Sequence, residues 1–177
     1  MNTTWRFLLA LVIAVSISAC KTTEPVTDTT DTDTTDTKPA TEVTTAAAPD
    51  PRDYTDARNF DNSESLLSRR VIYFDFDKSE VKSEYRPIVA AHAAYISANG
   101  SAEVTLEGHT DERGTREYNL GLGERRGNSV SGLLSAAGAM GSQLDVVSYG
   151  EERPVCRVSD ESCWQQNRRV EIVYTAR

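Results

Sequence analysis

The chain is poor in the residues that usually build metal and redox centres. Its 177 residues include two histidines and three cysteines. His92 and His109 are distant from one another and from Cys156 and Cys163, so four zinc ligands do not converge in sequence. No metal and no other cofactor is expected. Long apolar runs are also missing. The longest, Phe7 to Val15, is roughly half of the ~20 residues that a membrane-spanning helix needs. Positive charge is the minority sign: 19 Lys and Arg against 27 Asp and Glu give a net charge of −8. No basic stripe offers a footprint for nucleic acid.

What is present at the start is a secretory layout: Arg6, the short apolar run, then the small residues of "SISAC". Ile17-Ser18-Ala19-Cys20 resembles the lipobox of bacterial lipoproteins. The resemblance implies a signal peptide over 1–19, cleavage before Cys20, and lipidation (palmitate among the acyl chains) of its sulfur and new amino group. Buried methylenes contribute ~0.8 kcal/mol each, so several chains together anchor stably. Lys21, where an aspartate would retain the protein, implies export to the outer membrane, with the remainder facing the periplasm.

Residues 20–65 follow with little apolar content. Twelve Thr fall between Lys21 and Asp50, and 11 acids against 4 bases over 21–65 account for nearly all of the net charge. Such a composition buries too little surface to offset backbone entropy, so a disordered tether is expected. At about 45 residues its end-to-end distance would be ~35–40 Å. With Cys20 lipidated, Cys156 and Cys163 remain, and an oxidising compartment favours a disulfide between them. Closing that short loop would contribute on the order of 2–2.5 kcal/mol.

From residue 66 to 177 the pattern becomes periodic. "VIYFDFD" (71–77), with Ile72, Phe74 and Phe76 apolar, "AEVTLEG" (102–108), "LDVVSYG" (144–150) and "RVEIVYT" (169–175) read as strands covered on one face. Helical spacing runs from Ser79 to Asn99, with His92 on the apolar face as a packed core residue, and from about Arg116 to Ala137. The order βαβαβ, a short connection and a last strand predicts a two-layer α/β (α+β) sandwich in one domain.

In the second helix, 3.6 residues per turn places Arg126 inside the apolar stripe of Leu122, Val130, Leu133 and Leu134. An arginine there must snorkel, pair with an acid, or receive an anion. The same helix is entered through "HTDERGT" (109–115), which crowds His109, Asp111, Glu112 and Arg113 into one loop.

"VIYFDFDKSEV", "VTLEGHTDERGTREYNLGLGERRGNSV", "VVSYGEERPV" and "NRRVEIVY" resemble the peptidoglycan-associated lipoproteins and the wider family of OmpA-like C-terminal domains over about residues 70–175. The resemblance implies non-covalent binding of the diaminopimelate residue in the peptide stem of peptidoglycan. It also implies partnership with TolB and the Tol system, and a part in envelope integrity and outer-membrane constriction at division. The family pattern N-x-x-L-x-x-x-R falls on Asn119, Leu122 and Arg126, and its loop aspartate on Asp111. Arg126 would grip a carboxylate and Asp111 an ammonium, together reading a zwitterion. Phe74, Asp75 and Asp77 would stand at the pocket rim, or serve only strand-end packing and capping. Gly121 and Gly127 replace the family's more usual alanines; each costs up to ~1 kcal/mol in a helix interior, which bears on affinity.

Two other classes compete. A peptidoglycan hydrolase needs a nucleophile, a carboxylate pair or an open metal site; His109, Asp111 and Glu112 provide none of these in full, and no catalytic residue is expected. His109 is expected to brace the loop by hydrogen bonds, and Glu112 to face water. A protein-docking module is the other alternative, and no residue in the sequence identifies its contact surface. Replacing Cys20 by Ser tests the anchor: the chain should move from the membrane to the soluble fraction on cell fractionation.

Overall fold

The four alternating segments pair into one open sheet in a computed structural model, which describes residues 48–177. The signal, Cys20 and the first part of the expected tether lie outside the described residues. The strands are β1 (Val71–Tyr73), β2 (Glu103–His109), β3 (Leu144–Gly150) and β4 (Arg169–Ala176), in the order β1-β4-β2-β3. Helices α1 (Arg86–Ala98) and α2 (Arg116–Ala136) separate the first three, and α3 (Glu161–Asn167) precedes β4. β2 and β3 are parallel, as a strand–helix–strand crossover requires, while β4 inserts antiparallel between β1 and β2. Ile72, Val104, Leu106, Val170 and Ile172 face Ile88, Val89, Ile96, Val130 and Leu134 across one core. The expected two-layer sandwich is the observed one.

α2 lies unusually close to the sheet because glycines meet there. A Cβ on Gly108 would stand 2.0 Å from the Gly123 carbonyl oxygen, and one on Gly127 2.6 Å from a Val146 methyl. Gly127 is therefore a contact residue as much as a weak helix former. Gly121 is different: a Cβ there would meet only the mobile end of Arg125, at 3.3 Å. Close approach of the backbones carries the Arg126 side chain to the carboxyl end of β2.

Several boundaries differ from expectation. β1 ends at Tyr73, and Phe74 makes one more bond, its N–H donating to the Arg168 carbonyl at 2.9 Å. The chain then turns through Asp77, at φ 56°, so the alternation breaks and Phe76 is 55% exposed rather than inward. α1 starts at Arg86, after a 3-10 turn at Ser83–Tyr85, with Pro87 in its first turn where a missing N–H does no harm. α3 stands in what looked like a plain connection; Asp160 caps it by accepting from the Cys163 N–H at 3.0 Å. The Cys156–Cys163 disulfide forms, with Cα atoms 5.1 Å apart.

The expected tether boundary at residue 65 needs correction. Asn59, Phe60 and Ser65 are buried, and Asn59 Nδ2 donates to the carbonyls of Asp50 and Asp53. Phe60, 2% exposed, packs edge-on to Tyr95 and Tyr174 beneath the Arg70 and Arg177 guanidinium groups. Average composition over 20–65 hid this one anchor. His92 joins the cluster as expected. Its Nε2 donates to the Arg69 carbonyl, which can only accept, so Nδ1 accepts from the Tyr174 hydroxyl, each at 2.9 Å. Phe60→Ala should destabilise the domain by about 3–5 kcal/mol in urea unfolding; an unchanged midpoint would return this segment to the tether.

Candidate functional site

Arg126 is fully buried, at 0% exposure, and it neither snorkels nor pairs directly with an acid. Its Nε donates to the Lys78 carbonyl (2.8 Å), Nη1 to the His109 carbonyl (2.8 Å) and Nη2 to the Asp75 carbonyl (3.1 Å). One guanidinium thus ties α2 to the end of β2 and to the turn after β1. Phe74 lies under it, with the ring centroid 5.3 Å from Cζ. Burial pulls its pKa down to about 10, with the Asp111 charge acting the other way, so it remains a cation at neutral pH. One N–H on each terminal nitrogen is left without a protein acceptor.

Asp111 is the carboxylate that answers it, and it is only 3% exposed. Oδ1 accepts from the Arg113 backbone N–H (3.1 Å) and Nε (3.2 Å). Oδ2 accepts from Arg113 Nη2 (2.6 Å) and Arg168 Nη1 (3.2 Å). Burial pushes its pKa up, but these bonds outweigh burial and hold it below the usual carboxylate range. Arg168 in turn donates to the Phe74 carbonyl (3.1 Å) and to Glu161 (2.6 Å).

Between these groups lies a cavity of about 200 Å³. Asp111, Asn119, Leu122 and Arg126, all expected from the family pattern, line it together. Arg126 forms the floor without exposed surface, so in the unliganded protein its charge acts through the field. Asn119 Nδ2 donates to Glu151, which fixes its amide. Asp77 reaches the rim and accepts from the Tyr118 hydroxyl. The other two rim candidates are elsewhere. Asp75 turns its carboxylate outward to Lys82 (3.0 Å) and Lys78 (3.9 Å), and Phe74 is buried between the main cavity and a neighbouring groove. Phe76 and Tyr118 line the cavity and were not foreseen; Arg113, seen in the loop but given no role, lines it too. Exposed aromatic residues beside a charged loop were the available signal.

His109 does not brace the loop by ring hydrogen bonds as expected. Its ring is 2% exposed and stacks on Tyr149 at 5.5 Å, but neither ring nitrogen has a hydrogen-bond partner. It braces the loop through its backbone carbonyl instead. Glu112 is exposed and accepts from the Trp164 indole N–H at 3.0 Å.

A family model described as the OmpA family matches residues 73–169. The chain belongs to the OmpA family. Within that family it is 53% identical over 108 residues to the peptidoglycan-associated lipoprotein of Pseudomonas putida, covering 61% of this chain and 64% of that one. The protein of the same name from Haemophilus influenzae is 48% identical over 103 residues, covering 58% and 67%. The crystal structure of the peptidoglycan-associated lipoprotein from Burkholderia pseudomallei matches with a TM-score of 0.65 and 39% identity, over 71% of this chain and 100% of that one. The chain spans just under two thirds of the Pseudomonas putida relative's length.

Burial lowers both histidine pKa values to about 4. A folded-state value below the unfolded one, near 6.5, means full stability above pH 6.5 and progressive loss as pH falls towards 4. The lowered Asp111 pKa extends that loss to more acid pH. NMR titration should show no protonation of His92 or His109 at pH 6; midpoints near 6.5 would contradict the burial described.

Proposed function

We propose that this chain is a non-enzymatic lipoprotein of the cell envelope. It binds the diaminopimelate-containing stem peptide of peptidoglycan and links the outer membrane, through lipidated Cys20, to the cell wall. The observation that carries the reading is one small cavity lined by an ionised carboxylate, Asp111, and by the cations Arg113 and Arg126. A free amino-acid centre presents an ammonium and a carboxylate on one carbon, and this pair of opposite charges is its complement. Three bonds from Arg113 and one from Arg168 already occupy the roughly four lone-pair sites of Asp111, so a ligand ammonium is drawn by its charge and takes the place of one of the longer bonds, such as that from Arg168 at 3.2 Å. The uncommitted Nη1 of half-exposed Arg113 suits the ligand carboxylate, and buried Arg126 adds its positive charge from beneath. The names of the similar proteins, peptidoglycan-associated lipoproteins, support the same ligand class. Partnership with TolB and the Tol system is carried by the family resemblance.

Hydrolysis is the weaker reading. His109, the imidazole of the loop, is neutral and does not line the cavity. Cys156 and Cys163 are bonded to one another. Among the described residues no cluster of His, Cys, Asp and Glu could hold a metal ion.

The test is co-sedimentation of the full chain, in detergent, with purified sacculi. Asp111→Asn keeps the shape of the side chain and should weaken binding about ten- to a hundredfold while circular dichroism stays unchanged. Undiminished binding by a folded Asp111→Asn variant would sink the assignment. Release of soluble muropeptides by the wild-type chain would replace the binder with an enzyme.

A further inference from the structure

Helix α3 has seven residues, too few to persist on its own, and it lines no part of the Asp111 cavity, yet its Trp164 and Glu161 lie against Arg113, which does. Two devices hold it. The Cys156–Cys163 disulfide ties it to the preceding loop, where the Val158 N–H also donates to Cys163 Sγ at 3.0 Å. Asn167, at its end, accepts from the Val155 and Cys156 N–H groups and donates to the Cys156 carbonyl at 2.7 Å. The residue after Cys163 is Trp164. Its ring centroid lies 4.1 Å from Arg113 Cζ, and the Phe76 ring centroid lies 4.0 Å from the same atom. The Trp164 indole also holds Glu112, next to Arg113 in the chain.

We infer that Trp164, anchored by the disulfide, is a positioning residue for the binding site, so that reduction of Cys156–Cys163 weakens ligand binding without unfolding the domain. This rests on the reading of the Asp111 cavity as the ligand site. Arg113 is 31% exposed at its side chain, and an arginine so exposed samples many rotamers unless something fixes it. The two aromatic faces fix it, in the orientation that sends Nε and Nη2 to Asp111 and leaves Nη1 uncommitted beside the cavity. Phe76 sits on a turn secured by Arg126, whereas Trp164 depends on α3 and therefore on the disulfide. Cys156 is half-buried and Cys163 fully buried. A small dithiol reductant would therefore attack Cys156 Sγ, with Cys163 leaving as a thiolate that takes up a proton. The second thiol of the reductant then closes its own disulfide and releases Cys156 as a thiol. Two electrons and two protons pass from the reductant to the protein.

The experiment measures binding of the full chain in detergent to purified sacculi, with and without dithiothreitol, and follows the Arg113 Nε–H resonance of the unliganded protein by NMR. Trp164→Ala should bind about fivefold more weakly, and its Arg113 resonance should broaden or vanish. Trp164→Phe keeps an aromatic face and should restore most of the binding. Reduced wild type should behave like Trp164→Ala. The Cys156→Ser/Cys163→Ser variant should match reduced wild type and ignore dithiothreitol. Unchanged or tighter binding after reduction, or in folded Trp164→Ala, would overturn the inference, as would a sharp Arg113 resonance in both. Failure of oxidised wild type to bind sacculi would instead remove the proposed function, and the resonance of the unliganded protein would still decide the role of Trp164.

Discussion

A buried guanidinium with three backbone carbonyls around it is the constraint on which the site is built. Taking a charge out of water is costly unless hydrogen bonds replace the water. Arg126 meets that condition with carbonyls from three places in the chain, at Asp75, Lys78 and His109. The turn after β1 therefore cannot drift from the end of β2, and Phe76 and Asp77 are held at the rim even though Asp77 takes a positive φ. The glycine contacts of α2 are the other half of the same arrangement. They bring the helix close enough for a side chain of this length to reach the sheet's end. From that frame Asp111 inherits its surroundings, with Arg113 and Arg168 bonded to it and Arg126 behind.

The resulting site is organised before any ligand arrives. Ionised Asp111 is stabilised by its neighbours, and Arg113 and Arg126 are already in place at the cavity. Binding then costs less conformational entropy than it would in a loop that had to order itself. The aromatic cluster around Phe60 lies near the start of β2, where Val104 pairs with Tyr174, while the cavity lies beyond its end at His109. The two are about 20 Å apart along a seven-residue strand. Within the described residues the incoming segment thus docks at one end of the sheet and the cavity opens at the other.

Most of the architecture could be read from period-two and helical spacing, because one covered face leaves a regular imprint. The site was legible only in part. Arg126 declared itself as a charge inside an apolar stripe, but its partners are backbone carbonyls, which have no sequence signature. Arg113 lies two residues from Asp111 and was in view, whereas Arg168 comes from 57 residues away and only the fold brings it there. Phe76 was misread because its alternation continues past the point where the strand has left the sheet. Phe60 and α3 were missed for a common reason: each is one short ordered piece inside a polar stretch, where averages over many residues conceal a single anchor or a single cap.

Recognition of a zwitterion is the centre of this account, and calorimetric titration with two forms of one ligand measures it directly. The first is a stem tripeptide carrying the free ammonium and carboxylate of diaminopimelate; the second is the same tripeptide acetylated on that ammonium. The first should bind, and the second, whose uncharged amide no longer complements Asp111, should lose at least about tenfold in affinity. Equal affinity for the two would contradict it.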